Sequence, residues 1–139
     1  MTEISNHRNT FPKSEKLCSS KAIDKLFAKG ESFISYPIRV VYLQEEVDSL
    51  NGEGVSVLIS VSKRKFKRAV KRNRVKRLIR EAYRINSSVL KGLAIQKEVR
   101  LIIAFLYLKD ELPSYQEIEK SILKAINILS QKLEGEKTV

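Results

Sequence analysis

Apolar residues recur at intervals of three and four positions in three segments of the 139-residue chain, the spacing of one hydrophobic stripe along an α-helix. The first segment follows Ser19 or Ser20, either of which can cap a helix, and Gly30 is placed to end it. The last begins at Ser114, which matches a capping box with Glu117. The stripes are Ala22, Ile23, Leu26 and Phe27; Val75, Leu78, Ile79, Ala82 and Tyr83; and Ile118, Ile122, Ala125, Ile126, Leu129 and Leu133.

Three further segments are rich in β-branched and aromatic residues, which predicts the strands of a sheet. Residues 36–43 form the first, with Pro37 near its start, and residues 55–61 form the second. Residues 99–108 are apolar enough to be a central strand. Because a two-stranded ribbon alone is marginally stable, more strands are needed, and a short one fits near Phe33.

The order of these elements predicts an α+β fold. It is a single small domain with a roughly four-stranded sheet packed with three helices, in an αβββαβα-like order. Residues 45–54 form a polar loop, and residues 87–92 a short irregular or helical piece. The polar ends predict a flexible N-terminal arm over residues 1–15 and a frayed tail over residues 134–139, around a folded domain of residues 16–133.

Charge is distributed very unevenly along the chain. The 22 residues from Lys63 to Arg84 contain 12 of the 27 Lys and Arg residues and one of the 16 acidic residues, Glu81. The remainder holds 15 bases and 15 acids, so the net charge of +11 lies in this stretch. Like charges at helical spacing destabilise a helix, and a solvated helix surface normally mixes both signs. The stretch therefore predicts a polyanionic partner, either nucleic acid or an anionic membrane surface.

The apolar pattern predicts no membrane partner. The N-terminus lacks the apolar centre of a signal peptide. The longest apolar run, residues 101–108, is too short to span a bilayer. One cysteine, Cys18, allows no internal disulfide and is typical of a reducing compartment. We therefore expect a cytoplasmic protein.

Residues that would carry catalysis are absent from the sequence or isolated within it. The one histidine, His7, lies in the predicted arm, and Cys18 has no cysteine or histidine nearby to predict a zinc site or a catalytic base. Neither G-x-x-x-x-G-K-[ST] nor G-x-G-x-x-G occurs. No catalytic or metal-ligating residue is therefore assigned, and the sequence predicts binding rather than catalysis.

Asn73 is the one uncharged polar residue of the basic stretch. Its amide can donate and accept hydrogen bonds at once, which suits a base edge or a 2′-hydroxyl. The surrounding guanidinium groups match the geometry of phosphate oxygens. From spacing alone, Asn73 is equally well explained as an ordinary exposed helix residue.

The sequence around Asn73 resembles the bacterial ribonuclease P protein family. The matching residues are V-S-K-R at 61–64 and A-V-K-R-N-R-V-K-R-L-I-R-E-A-Y at 69–83, which include the R-N-R signature of that family. The resemblance spans about residues 17–133. It implies a small protein that joins ribonuclease P RNA, one protein per RNA, in an endoribonuclease that removes the 5′ leader of precursor tRNA. In that family the RNA performs the chemistry with Mg²⁺.

The same resemblance implies two binding surfaces. The R-N-R helix and the loop before it contact the RNA subunit, and the single-stranded leader lies in a cleft between the first helix and the sheet. The resemblance also implies that the basic helix joins two parallel strands in a left-handed crossover, an exception to the right-handed rule. The implied RNA contacts are Lys63, Arg64, Lys67, Arg68, Arg72, Asn73, Arg74, Lys76, Arg77 and Arg80, and the implied cleft residues are Ile23, Phe27, and Val41 or Tyr42.

The chain departs from the family pattern at two places. Many members carry an aromatic residue where this chain has Ile23, so apolar contact rather than base stacking is expected there. A glycine that follows the lysine pair in many members is missing, and Lys65–Arg68 fill a slightly longer loop. Without the resemblance, Ile23 and Phe27 are also explained by core packing.

Three other classes of protein fit the charge pattern. The main alternative is a ribosomal-type structural RNA-binding protein, which would not stimulate leader removal. A DNA-binding protein would place the helix in a major groove, but a helix that is basic on nearly every exposed side suits phosphates better than base edges. A membrane-surface helix has a suitable polar face, but its apolar stripe lacks Trp and Phe.

Overall fold

The computed structural model describes residues 20–46 and 54–135. Its elements in chain order are α1 (Ser20–Lys29), β1 (Glu31–Ser35), β2 (Ile38–Glu46), β3 (Gly54–Val61), α2 (Ala69–Asn86), α3 (Ser88–Gln96), β4 (Val99–Tyr107) and α4 (Tyr115–Gly135). The predicted α+β fold and its four strands are confirmed. The segment predicted as irregular or helical is a helix, α3, so the described part of the chain has four helices rather than three.

The four strands form one mixed sheet in the order β1-β2-β4-β3. Strands β1 and β2 are antiparallel, as are β2 and β4, whereas β3 and β4 are parallel. The prediction that β4 is a central strand is confirmed. Strand β2 starts two residues later than predicted, because Tyr36 and Pro37 form the turn from β1, with a cis peptide bond between them.

Side chains that alternate along the strands divide the sheet into two faces. The helix face is covered by α2, α3 and α4 and contains the larger core cluster, including Val40, Val57, Ile103 and Phe105. The open face is crossed by α1, and its smaller cluster contains Leu26, Val41, Ile102 and Ala104. The register pairs Val41 with Ala104 and Ala104 with Leu58, which places all three strands in this second surface.

Helix α1 is anchored to the open face mainly by Leu26, with Ala22 and Ile23 partly buried beside it. Leu26 is fully buried in the smaller cluster, and Lys25 forms an ion pair with Glu45 on β2. The helix ends at Lys29, and the N–H of the next residue, Gly30, donates to the carbonyl of Leu26 at 2.8 Å. A Cβ at Gly30 would lie 2.8 Å from the carbonyl oxygen of Tyr42, so glycine allows α1 to end close against β2.

Helix α4 closes the helix face as its stripe predicts, since every residue of that stripe is buried. The predicted capping box forms only in part: the N–H of Glu117 donates to Ser114 Oγ at 3.1 Å, but the Glu117 carboxylate accepts a hydrogen bond from Lys109 at 2.8 Å. Helix α4 continues to Gly135, two residues into the predicted tail. The predicted arm (residues 1–15), residues 47–53 of the predicted loop and residues 136–139 lie outside the described residues.

Helices α2 and α3 connect the parallel strands β3 and β4, which are neighbours in the sheet. The parallel crossover implied by the resemblance is therefore present. Its left-handedness stays a prediction. The consequence for function is that the basic helix packs against α4 and β3, with the loop of residues 62–68 leading directly from β3 into α2.

Candidate nucleic-acid interface

Helix α2 presents its basic residues outward because its apolar stripe is buried. Val75, Ile79, Ala82 and Tyr83 are fully buried against α4, β3 and the core of the helix face. The predicted RNA contacts are thereby brought together on one surface with the loop before the helix. Of these contacts, Lys63, Arg64, Lys67, Arg68, Asn73, Arg74 and Arg77 are exposed, and Arg72, Lys76 and Arg80 are partly exposed.

The loop from Ser62 to Arg68, called here the basic loop, has a defined turn. The amides of Lys65 and Phe66 donate to the carbonyl of Ser62 at 3.2 and 3.1 Å, and the amide of Arg64 donates to Ser62 Oγ at 3.0 Å. Such local bonds fix the backbone direction. The cationic side chains of this loop therefore project from a backbone that is already ordered.

Phe66 anchors the basic loop in the protein core. It is only 5% exposed and stacks on Tyr107, with 6.1 Å between the ring centroids and 28° between the ring planes. No role was predicted for Phe66 from the sequence. The signal that could have found it is a single aromatic residue within a run of cations, where a solvated loop would not need one.

Arg72, the first arginine of the R-N-R signature, is engaged inside the protein. Its Nη1 donates to the carbonyl of Phe66 at 2.8 Å and to the carbonyl of Lys67 at 2.9 Å. These bonds connect the first turns of α2 to the basic loop. Arg72 therefore differs from Arg74, which lies two residues further and is exposed.

The first turn of α2 has no acidic residue, and its N-cap, Arg68, makes no side-chain capping bond. Cations at this end oppose the helix dipole. The one acid of the stretch, Glu81, pairs with Arg84 at 2.6 Å, and this hydrogen bond raises the pKa of Arg84. The surface from the basic loop to Arg80 thus gains no compensating acid from its own stretch, and an anionic partner would relieve the repulsion.

The open face of the sheet supplies a second, apolar surface. Ile23 is partly buried against it, and Phe27, four residues along the same side of α1, is 48% exposed. Leu58 and Leu106 are partly buried residues of the same face. These two leucines were not predicted as part of the cleft, although strand alternation with Ala104 places both on this face.

The structure separates the two alternatives for the strand position of the predicted cleft. Val41 lies on the open face, although α1 leaves it only 5% exposed. Tyr42 was wrongly included, because alternation turns it to the helix face, where it is 8% exposed. Its hydroxyl donates to Glu31 at 2.9 Å, and its ring meets Phe33 edge-on at 5.9 Å. Tyr42 therefore has a packing role.

Within residues 20–46 and 54–135, no group of three or more His, Cys, Asp or Glu residues is placed to hold a metal ion. No helix in the same ranges is long and apolar enough to cross a membrane.

The fold and these surfaces define a class: a small α+β protein that combines a rigid cationic surface with an apolar sheet face, as nucleic-acid-binding domains do. The family model of ribonuclease P matches residues 11–130 of the chain. The ribonuclease P protein component of Porphyromonas gingivalis is 41% identical over 130 residues, covering 89% of this chain and 93% of that protein. That of Chlorobaculum tepidum is 32% identical over 133 residues, covering 90% and 86%.

The fold is also that of a solved relative. The Staphylococcus aureus RNase P protein superposes with a TM-score of 0.62 at 21% identity, covering 84% of this chain and 95% of that one. The chain belongs to the ribonuclease P protein family.

Proposed function

We propose that this chain is the protein subunit of a bacterial-type ribonuclease P and assists removal of the 5′ leader from precursor tRNA. The observation that carries the proposal is the cationic surface of the basic loop and α2, which is ordered by the protein itself and lacks acidic partners within its stretch. Structured RNA supplies phosphates at the density that such a surface suits. Family membership favours this function over the ribosomal-type alternative.

The cationic surface binds the RNA subunit in this proposal. Phosphate contacts come from the exposed side chains of the basic loop and from Arg74 and Arg77, and Asn73 lies among them where its amide can meet a base edge or a 2′-hydroxyl. Lys76 and Arg80 flank this group as partly exposed cations.

The open face binds the leader in this proposal. A single-stranded leader offers unpaired bases, which stack on aromatic side chains and contact apolar ones. Phe27 supplies the exposed ring, and Ile23, Leu58 and Leu106 supply the apolar surface beside it. Val41 contributes to the floor beneath α1.

The RNA subunit carries the chemistry in this proposal, with Mg²⁺ bound to the RNA. The described residues of the protein offer no ligand cluster for the ion, and no step is assigned to a protein-bound metal. The protein contributes binding and orientation of the precursor, with one protein per RNA and in the cytoplasm.

The test is cleavage of precursor tRNA by a bacterial ribonuclease P RNA at low Mg²⁺, with and without the full-length protein. Stimulated cleavage with a new 5′ end at the mature position is expected. As a matched control, Lys124→Ala removes an exposed cation from α4 and should stimulate as the native chain does. A folded protein that binds the RNA without stimulating cleavage would overturn the proposal and favour a ribosomal-type binding function.

A further inference from the structure

We infer that Arg72 serves the RNA interface as a positioning residue: it holds the basic loop in its binding conformation instead of contacting a phosphate. The inference rests on the proposed function, and it reassigns a residue that the family resemblance implies as an RNA contact. Its basis is the pair of hydrogen bonds from Arg72 Nη1 to the carbonyls of Phe66 and Lys67, at 2.8 and 2.9 Å.

Both bonds of Arg72 reach backbone that no helix or strand supports. The carbonyls of Phe66 and Lys67 lie between β3 and α2, outside regular structure. A guanidinium donor forms stronger hydrogen bonds than a neutral one. One Nη1 nitrogen donates to both carbonyls, so the guanidinium that would reach a phosphate is held against the basic loop.

Arg72 completes a set of four anchors around the basic loop. The other three are the turn bonds to the carbonyl of Ser62, the stacking of Phe66 on Tyr107, and a hydrogen bond from Lys65 Nζ to the carbonyl of Leu108. The turn bonds shape the loop itself, and Phe66 and Lys65 hold it to the end of β4 and the residue after it. The amides of Lys71 and Arg72 join only its last carbonyl, that of Arg68, to α2. The Arg72 side chain adds bonds to the two carbonyls before that one, so the loop and the helix present their cations at a fixed relative position.

Fixing the loop matters because four of the proposed RNA contacts are carried by it: Lys63, Arg64, Lys67 and Arg68. Ordering a free backbone costs about 1–2 kcal/mol per residue. A loop that is ordered before binding spares the complex this cost. Loss of the Arg72 bonds should therefore weaken RNA binding while leaving the number of phosphate contacts the same.

The experiment compares Arg72→Met with Arg74→Met in the full-length protein, because both remove one positive charge and keep a similar aliphatic chain. The first readout is amide hydrogen exchange of Lys65 and Phe66 without RNA. The loss of 1–2 kcal/mol of local stability corresponds to exchange about 5- to 30-fold faster in Arg72→Met, and no change is expected in Arg74→Met. Equal exchange in the two variants would overturn the inference.

The exchange of β4 amides separates local opening from global unfolding. In Arg72→Met the amides of Lys65 and Phe66 should exchange faster than the β4 amides, because the loop opens while the core stays folded. Loop and β4 amides that exchange with the same protection would mean that both open only when the whole domain unfolds, and the positioning role would be rejected.

The second readout is affinity for a ribonuclease P RNA as a function of salt. Arg74→Met should lower the log–log salt slope by about 0.7–0.9, the value for one phosphate contact. Arg72→Met should weaken binding about tenfold (about 1.4 kcal/mol) with less than half of that slope change. An equal fall in slope for the two variants would show that Arg72 contacts a phosphate.

Arg72→Lys provides the conservative rescue, because it keeps the charge and several N–H donors at nearly the same reach. It should restore loop protection and affinity together. Affinity restored without protection would assign the effect to charge alone and reject the inference. If no variant, nor the native chain, binds the RNA, the proposed function fails, while the exchange result in the free protein still decides the role of Arg72.

Discussion

The two faces of the sheet are built from the same alternating strands, but one face is buried and the other stays partly exposed. On β4, Phe105 is fully buried on the helix face, 6.0 Å from the ring of Tyr83, whereas its neighbour Leu106 is only partly buried on the open face. Three helices cover the first face, and the ten-residue α1 crosses the second. Both side chains are apolar, so their chemical character does not explain why one is more buried than the other. The number of helices packed on each face explains the difference in burial.

The two faces show how a small domain uses one surface for stability and leaves another for recognition. Apolar area removed from water stabilises the fold, and the helix face supplies most of it through the larger cluster. Apolar area left accessible can contact unpaired nucleotide bases. The open face keeps accessible apolar area because α1 buries Leu26 and leaves Phe27 half exposed.

The largest expected effect is a difference in the free energy of unfolding between alanine variants of Phe105 and Leu106. Phe105→Ala should lower the free energy of unfolding by about 3–5 kcal/mol, because it leaves a cavity in a closed core. Leu106→Ala should cost less than about 1.5 kcal/mol, since a partly buried side chain loses less area. Urea unfolding measures both. Similar losses would mean that the open face is as much a part of the core as the helix face.

The next effect concerns the cationic surface, which belongs to neither face. Arg74→Ala should weaken binding to ribonuclease P RNA by about 1–3 kcal/mol, the scale of hydrogen bonds to a charged group. The loss of affinity should be the same for RNA with and without a bound leader substrate. The free energy of unfolding should stay unchanged. Filter binding at several salt concentrations measures it, with Lys124→Ala as the control cation on α4.

A comparable or smaller effect tests the open face as the leader site. Phe27→Ala should weaken binding of leader-bearing precursor tRNA by about 1–3 kcal/mol, the range for stacking one base, and leave mature tRNA unaffected. Its effect on unfolding should be small because the ring is 48% exposed. Leu26→Ala is the matched control, expected to lose about 2–5 kcal/mol of stability as a buried leucine. Equal losses of precursor and mature tRNA binding would assign Phe27 to packing.

The smallest effect is a pH dependence confined to the helix face. Burial, aided by Glu117, raises the pKa of Tyr107 above its ordinary value of 10.0. Below pH 10 the hydroxyl is protonated in both states, and its contribution to stability is complete. Above that pH the unfolded state ionises first, so the free energy of unfolding should fall as pH rises.

Urea unfolding between pH 8 and 11, the alkaline range around the ordinary tyrosine pKa of about 10, measures this fall. Tyr107→Phe should remove part of it, although it also loses the hydrogen bond to the carbonyl of Glu111. A pH dependence identical in the native chain and the variant would contradict the assignment to Tyr107.

Much of the fold follows from local pattern. The stripes of α2 and α4 and the strands β3 and β4 lie where the residue periodicity predicts them. The family and the position of the positive charge can likewise be identified from the residues between Lys63 and Arg84. Helix α3 was only half predicted, because its short segment contains Gly92 and has little helical periodicity.

The candidate sites were predicted less completely, for reasons of geometry. Val41 and Tyr42 are adjacent, and choosing between them needs the strand register, which pairing with β4 sets. Leu26 and Phe27 share one stripe, yet only the position of α1 on the sheet buries the first and exposes the second.

By itself, the sequence determined most of the helices and strands, where the charge lies and which family the chain belongs to, because periodicity, composition and motif are local properties of the chain. The tertiary structure decided which sheet face remains open and which arginine is held against the basic loop. Arg72 and Arg74 are chemically identical and two residues apart, but only Arg72 meets two carbonyls of the basic loop. Such a difference arises from contacts between segments, and no local pattern encodes it.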